Sequence, residues 1–324
     1  MSADHTVYLS EFSPRPAWLT RWEKIRRGRG RWVVEFVAEA TATFFYTFAG
    51  TGSTAGYVLG NILGLNLSSV LQVGIAYAVG IVMALTICLT TSHGHANPAF
   101  TICAMIAGKC SPTRALRLIV AQIVGAYIAC LVIYVQYHNL IEEATAVLVE
   151  KGVYDAVMFT VQGPAGIFGL YVTNENLGYV VFNEFVCDFV LALVIFGAIE
   201  PTNAFSPPVM APWIIALTYA VVIWGYSPPG LAANSARDIG GRLAVLTLWG
   251  LKASGSRYAA IAALTNIPAT LLAGLFYECI FNDSNRTVTS AYLELAAAEK
   301  AHQTVIVESI ENDDGSSKGS PLPK

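Results

Sequence analysis

Charge is what this chain has least of. Asp, Glu, Lys and Arg supply 13% of its 324 residues, about half the share found in a soluble domain, and they crowd into the two ends and a few loops. At 55% apolar, most of the chain cannot be a solvated globular domain, and it reads as a membrane protein without a nucleic-acid partner. Cysteine motifs are missing too. Cys88, Cys103, Cys110, Cys130, Cys187 and Cys279 lie in or beside apolar segments with no metal-type spacing, as small packing residues do and a disulfide framework does not. No nucleophile and base pair appears, and His93 and His95 on one loop lack a third ligand, which makes a weak metal signal. Neither enzyme chemistry nor a cofactor is expected. No cleavable leader is expected, because residues 1–32 read as too long and too charged for one, and the first apolar span is expected to act as its own signal anchor.

Long apolar runs, by contrast, are plentiful. Six are long enough to cross a bilayer as helix, which takes about 17 to 25 residues: 33–57, 69–91, 115–137, 180–199, 209–225 and 258–281. Two shorter ones, 99–108 and 236–249, fit re-entrant half-helices, tolerated at membrane depth only inside protein or beside a wet cavity. The expected fold class is therefore an all-α membrane protein. Arg15, Arg21, Lys24, Arg26, Arg27, Arg29 and Arg31 precede the first span and place the N-terminus in the cytosol. An even number of spans returns the C-terminus there. Lys109, Arg114 and Arg117 agree with that orientation, as do Glu142, Glu143, Glu150, Asp155 and Glu175 in the long outer connection. Arg242, Lys252 and Arg257 fall outside, against the rule, an exception attributed to the second half-helix and its return.

Each half-helix follows a similar stretch. Asn97-Pro98-Ala99 and Asn234-Ser235-Ala236 each put a natural N-cap residue just after an apolar run and just before a helix-prone one. A short helix starting in apolar surroundings aims its free N–H groups and positive dipole end at whatever lies beyond its tip. Two such tips meeting in a membrane make a polar spot that repels cations. The organisation repeats: Glu39 precedes Asn97, and Glu184 precedes Asn234, each from inside the first span of its half. Three spans per half force opposite orientations, an inverted repeat with its site at the midplane. Gly50, Gly52, Gly56, Gly74 and Gly80 would let helices approach closely.

These residues resemble the major intrinsic proteins, the aquaporins and aquaglyceroporins, over roughly 33–281. His95-Ala-Asn97-Pro98-Ala99 is similar to the family's first signature, and Asn234-Ser235-Ala236-Arg237 to a variant of its second. The resemblance implies six transmembrane helices and two re-entrant half-helices in an aquaporin-like inverted repeat. It also implies a pore constriction at Asn97, Asn234 and Ser235. Counting from the two Asn residues places a selectivity filter at Tyr77, Val222, Leu231 and Arg237, with loop support from His95, Glu39, Glu184 and Asp238. A one-residue gap in the loop would move Val222 to a neighbour. Asp238, Arg242, Tyr137, Gly163-Pro-Ala-Gly166-Ile-Phe168 and Pro268 are similar to the glycerol-conducting branch. Four residues depart from the family pattern: Ser235 for Pro, His93 for Gly, Ala269 for a larger aliphatic, and an intramembrane Asp188 one turn after Glu184.

The implied function is a passive channel for glycerol and other small neutral solutes, with some water, that excludes protons and ions. Three rivals stay open. A water or hydrogen-peroxide channel would share every motif, a coupled transporter would need Asp188 or Glu184 to titrate, and a non-conducting scaffold would use Ser235 and His93. His93 also allows a pH gate. The implied setting is the plasma membrane, as a homotetramer in the lipid bilayer. The chain then divides into a basic cytosolic tail (1–32), a channel domain (33–281) and a largely disordered cytosolic tail (282–324), with a short surface helix at 291–302. Asn66-Leu-Ser68 is a glycosylation sequon in the first outer loop, and Ser316 and Ser317 are candidate modification sites.

Overall fold

A backbone in lipid must satisfy its own N–H and C=O groups, and among the described residues every regular element is helical. The computed structural model describes residues 7–172, 176–228 and 230–317. Two short helices, α1 (Leu9–Phe12) and α2 (Ala17–Arg27), lead into α3 (Arg31–Leu63). Gly64, at φ 71°, ends α3 in the left-handed conformation that glycine tolerates best. Ser69 accepts the Gln72 N–H to start α4 (Val70–Ser92), which ends at His93. The half-helix α5 (Pro98–Ile106) follows, and then α6 (Pro112–Gln136), opened by a Ser111 cap and Pro112. The outer connection holds α7 (His138–Glu150), α8 (Tyr154–Val157) and a 3-10 turn at Pro164–Ile167. The second half comprises α9 (Leu177–Ala198), α10 (Ala211–Tyr226), the half-helix α11 (Ser235–Trp249), α12 (Tyr258–Leu264) and α13 (Asn266–Ile280). Last comes α14 (Ser290–Ser317).

Helices α4, α6, α9 and the α12–α13 pair are long and apolar enough to cross a membrane, and α10 is apolar but shorter, at 16 residues. With α3, which buries Glu35 and Glu39, these match the six apolar stretches of the sequence. The sixth is interrupted between Leu264 and Asn266. Pro268 explains the break: it has no N–H for the Leu264 carbonyl, and its ring crowds that oxygen.

Close approach fixes where the half-helices sit. Helix α6 packs on both α3 and α11, while α5 packs between α6 and α13. A Cβ added at Gly125 would overlap the Ala40 carbonyl of α3, and one at Gly240 would meet the Ile123 carbonyl oxygen and the Tyr127 nitrogen of α6. We expect Gly125→Ala to destabilise the fold by about 1–3 kcal/mol, as overpacking does. Thermal unfolding in detergent tests this, and an unchanged midpoint would show that α3 and α6 can part freely.

Helices α1, α2, α7 and α8 were not expected from the sequence, and α14 runs well past the expected 291–302. Helix α7 buries Ile141, Ala144 and Leu148 against the outer part of the core, a three-then-four spacing that the acidic character of this loop masks. Glu175, read as part of the same connection, lies outside the described residues. The C-terminal segment, expected to be disordered beyond a helix at 291–302, is helical from Ser290 to Ser317. Its Ala, Glu and Leu content favours helix, and contacts anchor its start: Thr289 donates its N–H and Oγ1–H to the Pro201 carbonyl, and the Tyr292 hydroxyl reaches that of Ala198.

Candidate functional site

The tips of α5 and α11 meet, and each is tied to the other through its cap residue. Asn97 Oδ1 accepts the Ala99 N–H at 3.0 Å, and Asn234 Oδ1 accepts those of Ala236 and Arg237 at 2.9 and 3.2 Å. The two amide nitrogens then cross over. Asn97 Nδ2 donates to the Ala233 carbonyl at 3.2 Å, and Asn234 Nδ2 to the Ala96 carbonyl at 2.8 Å. Each Asn thus caps its own helix and bonds the residue just before the opposite cap.

Those two residues are strained. Ala96 and Ala233 have φ of 49° and 54°, a left-handed conformation costing an alanine about 1–2 kcal/mol. Buried carboxylates hold both in place. Glu39 accepts the Ala96 N–H and the Gln122 Nε2–H, and Gln122 also reaches Thr101 Oγ1, which is 3.1 Å from His95 Nδ1. Glu184 accepts the N–H groups of Ala232 and Ala233. In the second half Asp188, Asn266 and Thr270 are fully buried polar side chains, and the Asn266 amide lies beside the Asp188 carboxyl.

Beyond the Asn pair, Arg237 is buried and fixed by three neighbours. Its Nε donates to the Tyr77 hydroxyl at 3.1 Å, Nη1 to the Phe168 carbonyl at 2.6 Å and Nη2 to the Ile167 carbonyl at 3.4 Å. Leu231 packs in the same apolar cluster as Tyr77. Val222 is buried but outside that cluster, whereas its neighbours Ile223 and Trp224 belong to it. The structure thus joins Tyr77 to Arg237 by a hydrogen bond and to Leu231 through a shared apolar cluster, and it leaves Val222 outside that cluster. Asp238 pairs with Arg242 at 2.6 Å rather than with Arg237, as expected for side chains one turn apart on a helix. Arg242 in turn lies 5.4 Å from the centre of the Tyr171 ring.

Counting from motifs missed two tyrosines, Tyr46 and Tyr219. Tyr46 stacks at 5.1 Å from Tyr77 and 5.6 Å from Tyr219, and the Tyr219 hydroxyl donates to the Ala233 carbonyl at 3.4 Å. Tyr46 and Tyr219 lie on the same helix faces as the apolar core positions, which disguises them as packing residues. With Asn97 and Asn234 they line a cavity of about 1180 Å³ that opens into a vestibule walled by α1, α2 and α14. His93 also lines it. Desolvation and then the Arg114 cation hold its imidazole below its usual range, against the opposing pull of Glu299 and Glu35. Among the described residues no cluster of His, Cys, Asp or Glu could hold a metal ion.

A family model described as major intrinsic protein matches residues 29–251. The chain belongs to the major intrinsic protein family. It is 49% identical over 310 residues to Aquaporin-3 of Laccaria bicolor, covering 94% of each chain. It is 28% identical over 275 residues to the glycerol uptake facilitator protein of Pseudomonas aeruginosa, covering 83% of this chain and 92% of the relative. The solved aquaglyceroporin of Plasmodium falciparum matches its fold at a TM-score of 0.65, with 20% sequence identity over 77% of this chain and 96% of that one. As a major intrinsic protein it is an integral membrane channel of the aquaporin and aquaglyceroporin kind, and not an enzyme.

Within this channel the two half-helices differ at their first residue, Pro98 against Ser235. Ser235 Oγ is buried and has no partner, and proline at that position forfeits only an N–H that is unpaired in any helix. Ser235→Pro is therefore expected to fold normally and to shift the ratio of glycerol to water permeability severalfold. Unchanged permeabilities to both solutes would sink the idea that Ser235 shapes the constriction.

Proposed function

We propose that the chain forms a passive pore for glycerol and similar small neutral solutes, with some water, and that it excludes protons and ions. The observation that carries this reading is the make-up of the outer constriction. The Arg237 guanidinium has five N–H donors, of which three are taken by Tyr77, Phe168 and Ile167. Two are left for solute hydroxyls, while Leu231 and Val222 offer an aliphatic wall to a carbon backbone. One edge of a polyol is polar and the other is apolar, so such a lining suits it.

Deeper in, Asn97 and Asn234 present the constriction. Each amide carries two N–H donors, and the crossed bonds to Ala96 and Ala233 occupy one of each. Asn97 Nδ2 also reaches the Tyr219 hydroxyl at 3.5 Å. A passing oxygen therefore competes with that long contact for the second Asn97 donor while the second Asn234 donor meets it from the other side, which interrupts a continuous hydrogen-bonded water chain. The positive ends of α5 and α11, together with Arg237, oppose cations. His95, Glu39, Glu184 and Asp238 serve as loop supports. A homotetramer with one pore per subunit, in the plasma membrane with both termini in the cytosol, completes the proposal, and the basic run before α3 supports that orientation.

A second reading, a water or hydrogen-peroxide channel, is favoured by the three tyrosine rings that crowd the lumen. Stopped-flow light scattering on proteoliposomes separates the two. Fast re-swelling under a glycerol gradient supports the polyol channel. Fast shrinkage under an impermeant sugar gradient without glycerol entry would transfer the assignment to the narrower pore.

A further inference from the structure

We propose that α2 is a membrane-surface helix that docks on anionic phospholipid, seating Trp18, Trp22 and Ile25 in the headgroup boundary. These three lie at i, i+4 and i+7 and so share one face, and all are exposed, Trp18 at 70%. The other face is occupied. Thr20, Glu23 and Arg27 line the vestibule, and Glu23 holds Arg15 and Arg27 at 3.5 and 3.8 Å. An indole is an amphipathic ring that concentrates at the headgroup level of a bilayer, so two of them side by side on an open face fit lipid better than water.

Position and charge agree with that partner. Helix α2 ends at Arg27 and α3 begins at Arg31, so only a short turn separates it from a helix that enters the bilayer. The exposed residues Trp32, Val33 and Val37 at the start of α3 make the apolar face of α2 continuous with the lipid-facing surface. On a helix of 3.6 residues per turn, Arg21 borders that face and Lys24 lies further round on the same side. Among the described residues, Arg21, Lys24 and Arg29 are exposed and make no ion pair. An apolar stripe beside unpaired cations is the pattern of a helix lying in the interface plane of an anionic membrane. Each basic residue near such a surface strengthens attachment by about fivefold. That the lipid belongs to the cytosolic leaflet rests on the orientation proposed above.

Amide hydrogen exchange on the full chain in nanodiscs tests the proposal. One set contains phosphatidylcholine alone and the other adds phosphatidylserine. Exchange in residues 17–27 is expected to slow about tenfold with phosphatidylserine, while exchange in α6 stays constant. Two doubly substituted chains, Arg21→Gln with Lys24→Gln and Trp18→Ser with Trp22→Ser, are each expected to lose that protection, and α6 again reports intact folding. Equal exchange in both lipids would overturn the proposal, leaving the face to a protein partner. So would protection that survives both double substitutions. Nanodisc leaflets have the same composition, so the result does not depend on which side α2 faces. Glycerol flux in vesicles of the same lipids reports separately on the channel reading.

Discussion

Glu184→Ala is expected to cost the channel its folded pore loop, with at least tenfold lower solute permeability and a sharp fall in monodisperse protein in detergent. The Glu184 carboxylate accepts the Ala232 N–H at 2.9 and 2.8 Å, one to each oxygen, and the Ala233 N–H at 2.8 Å. Removing it leaves two buried donors unpaired, at about 1–3 kcal/mol each. It also releases Ala233 from its left-handed conformation, so relaxation of the backbone competes with holding the native loop. The loss of about 2–6 kcal/mol from the two donors is a large part of the roughly 5–15 kcal/mol that keeps a domain folded. Once Ala233 moves, its carbonyl no longer receives Asn97 Nδ2, and the crossed bonds between the half-helices fail together. Glu184→Gln keeps one acceptor oxygen and should fall between the wild type and Ala. Wild-type permeability in Glu184→Ala would mean that Asp188, buried one turn away, takes over as acceptor.

The membrane spans, both half-helices and the caps that start them are legible in the sequence because each rests on local chemistry. Apolar run length gives the spans. An Asn ahead of a helix-prone segment gives the caps, and the structure starts helices directly after Asn97 and Asn234. Contacts between distant elements are a different matter. The bond from Arg237 to Phe168 joins residues far apart in the chain, and no spacing encodes it. Motif counting is a rigid ruler laid along a loop, and it carries no information on which of Val222, Ile223 and Trp224 packs with Tyr77 and Leu231. Tyr46 and Tyr219 join Tyr77, which motif counting reaches, only after α3, α4 and α10 are packed together, and in a chain with 15 tyrosines nothing marks those two beforehand.

Asp188 shows the same limit from the other side. In the sequence it is conspicuous, a second carboxyl one turn after Glu184. The spacing sets it in the place of Thr43, one turn after Glu39 in the first half of the repeat, where the hydroxyl simply donates to the Glu39 carbonyl. Its surroundings, Asn266 and Thr270 on α13, belong to a helix whose break at Pro268 decides which side chains turn inward. The residue was visible in the sequence, but its neighbours were not. The tails reversed the order of difficulty: composition suggested a solvated C-terminal segment, yet Thr289 and Tyr292 anchor α14 against the channel body.

Arg237→Val is expected to make the pore leak cations. In the proposed filter the wild-type guanidinium sets a full positive charge beside the solute path, where the flux of any cation must approach it closely. At about 4 Å and an effective dielectric of about 20, two unit charges repel by about 4 kcal/mol, which corresponds to nearly a thousandfold in rate. The half-helix ends contribute only about half a charge each and remain in the variant, so the expected rise in proton leak is at least tenfold, short of that limit. The substitution also strips the Phe168 and Ile167 carbonyls of their donors, which loosens the outer turn and widens the passage further. Arg237→Lys separates the two effects. An ammonium retains the charge but cannot span Tyr77, Phe168 and Ile167 at once, so it should stay tight to protons while its glycerol rate changes. The measurement is the decay of a pH gradient across proteoliposomes carrying a trapped pH-sensitive dye under a potassium diffusion potential. A Val variant as tight as the wild type would place the barrier wholly in the tips of α5 and α11 and leave Arg237 with the selection of solutes alone.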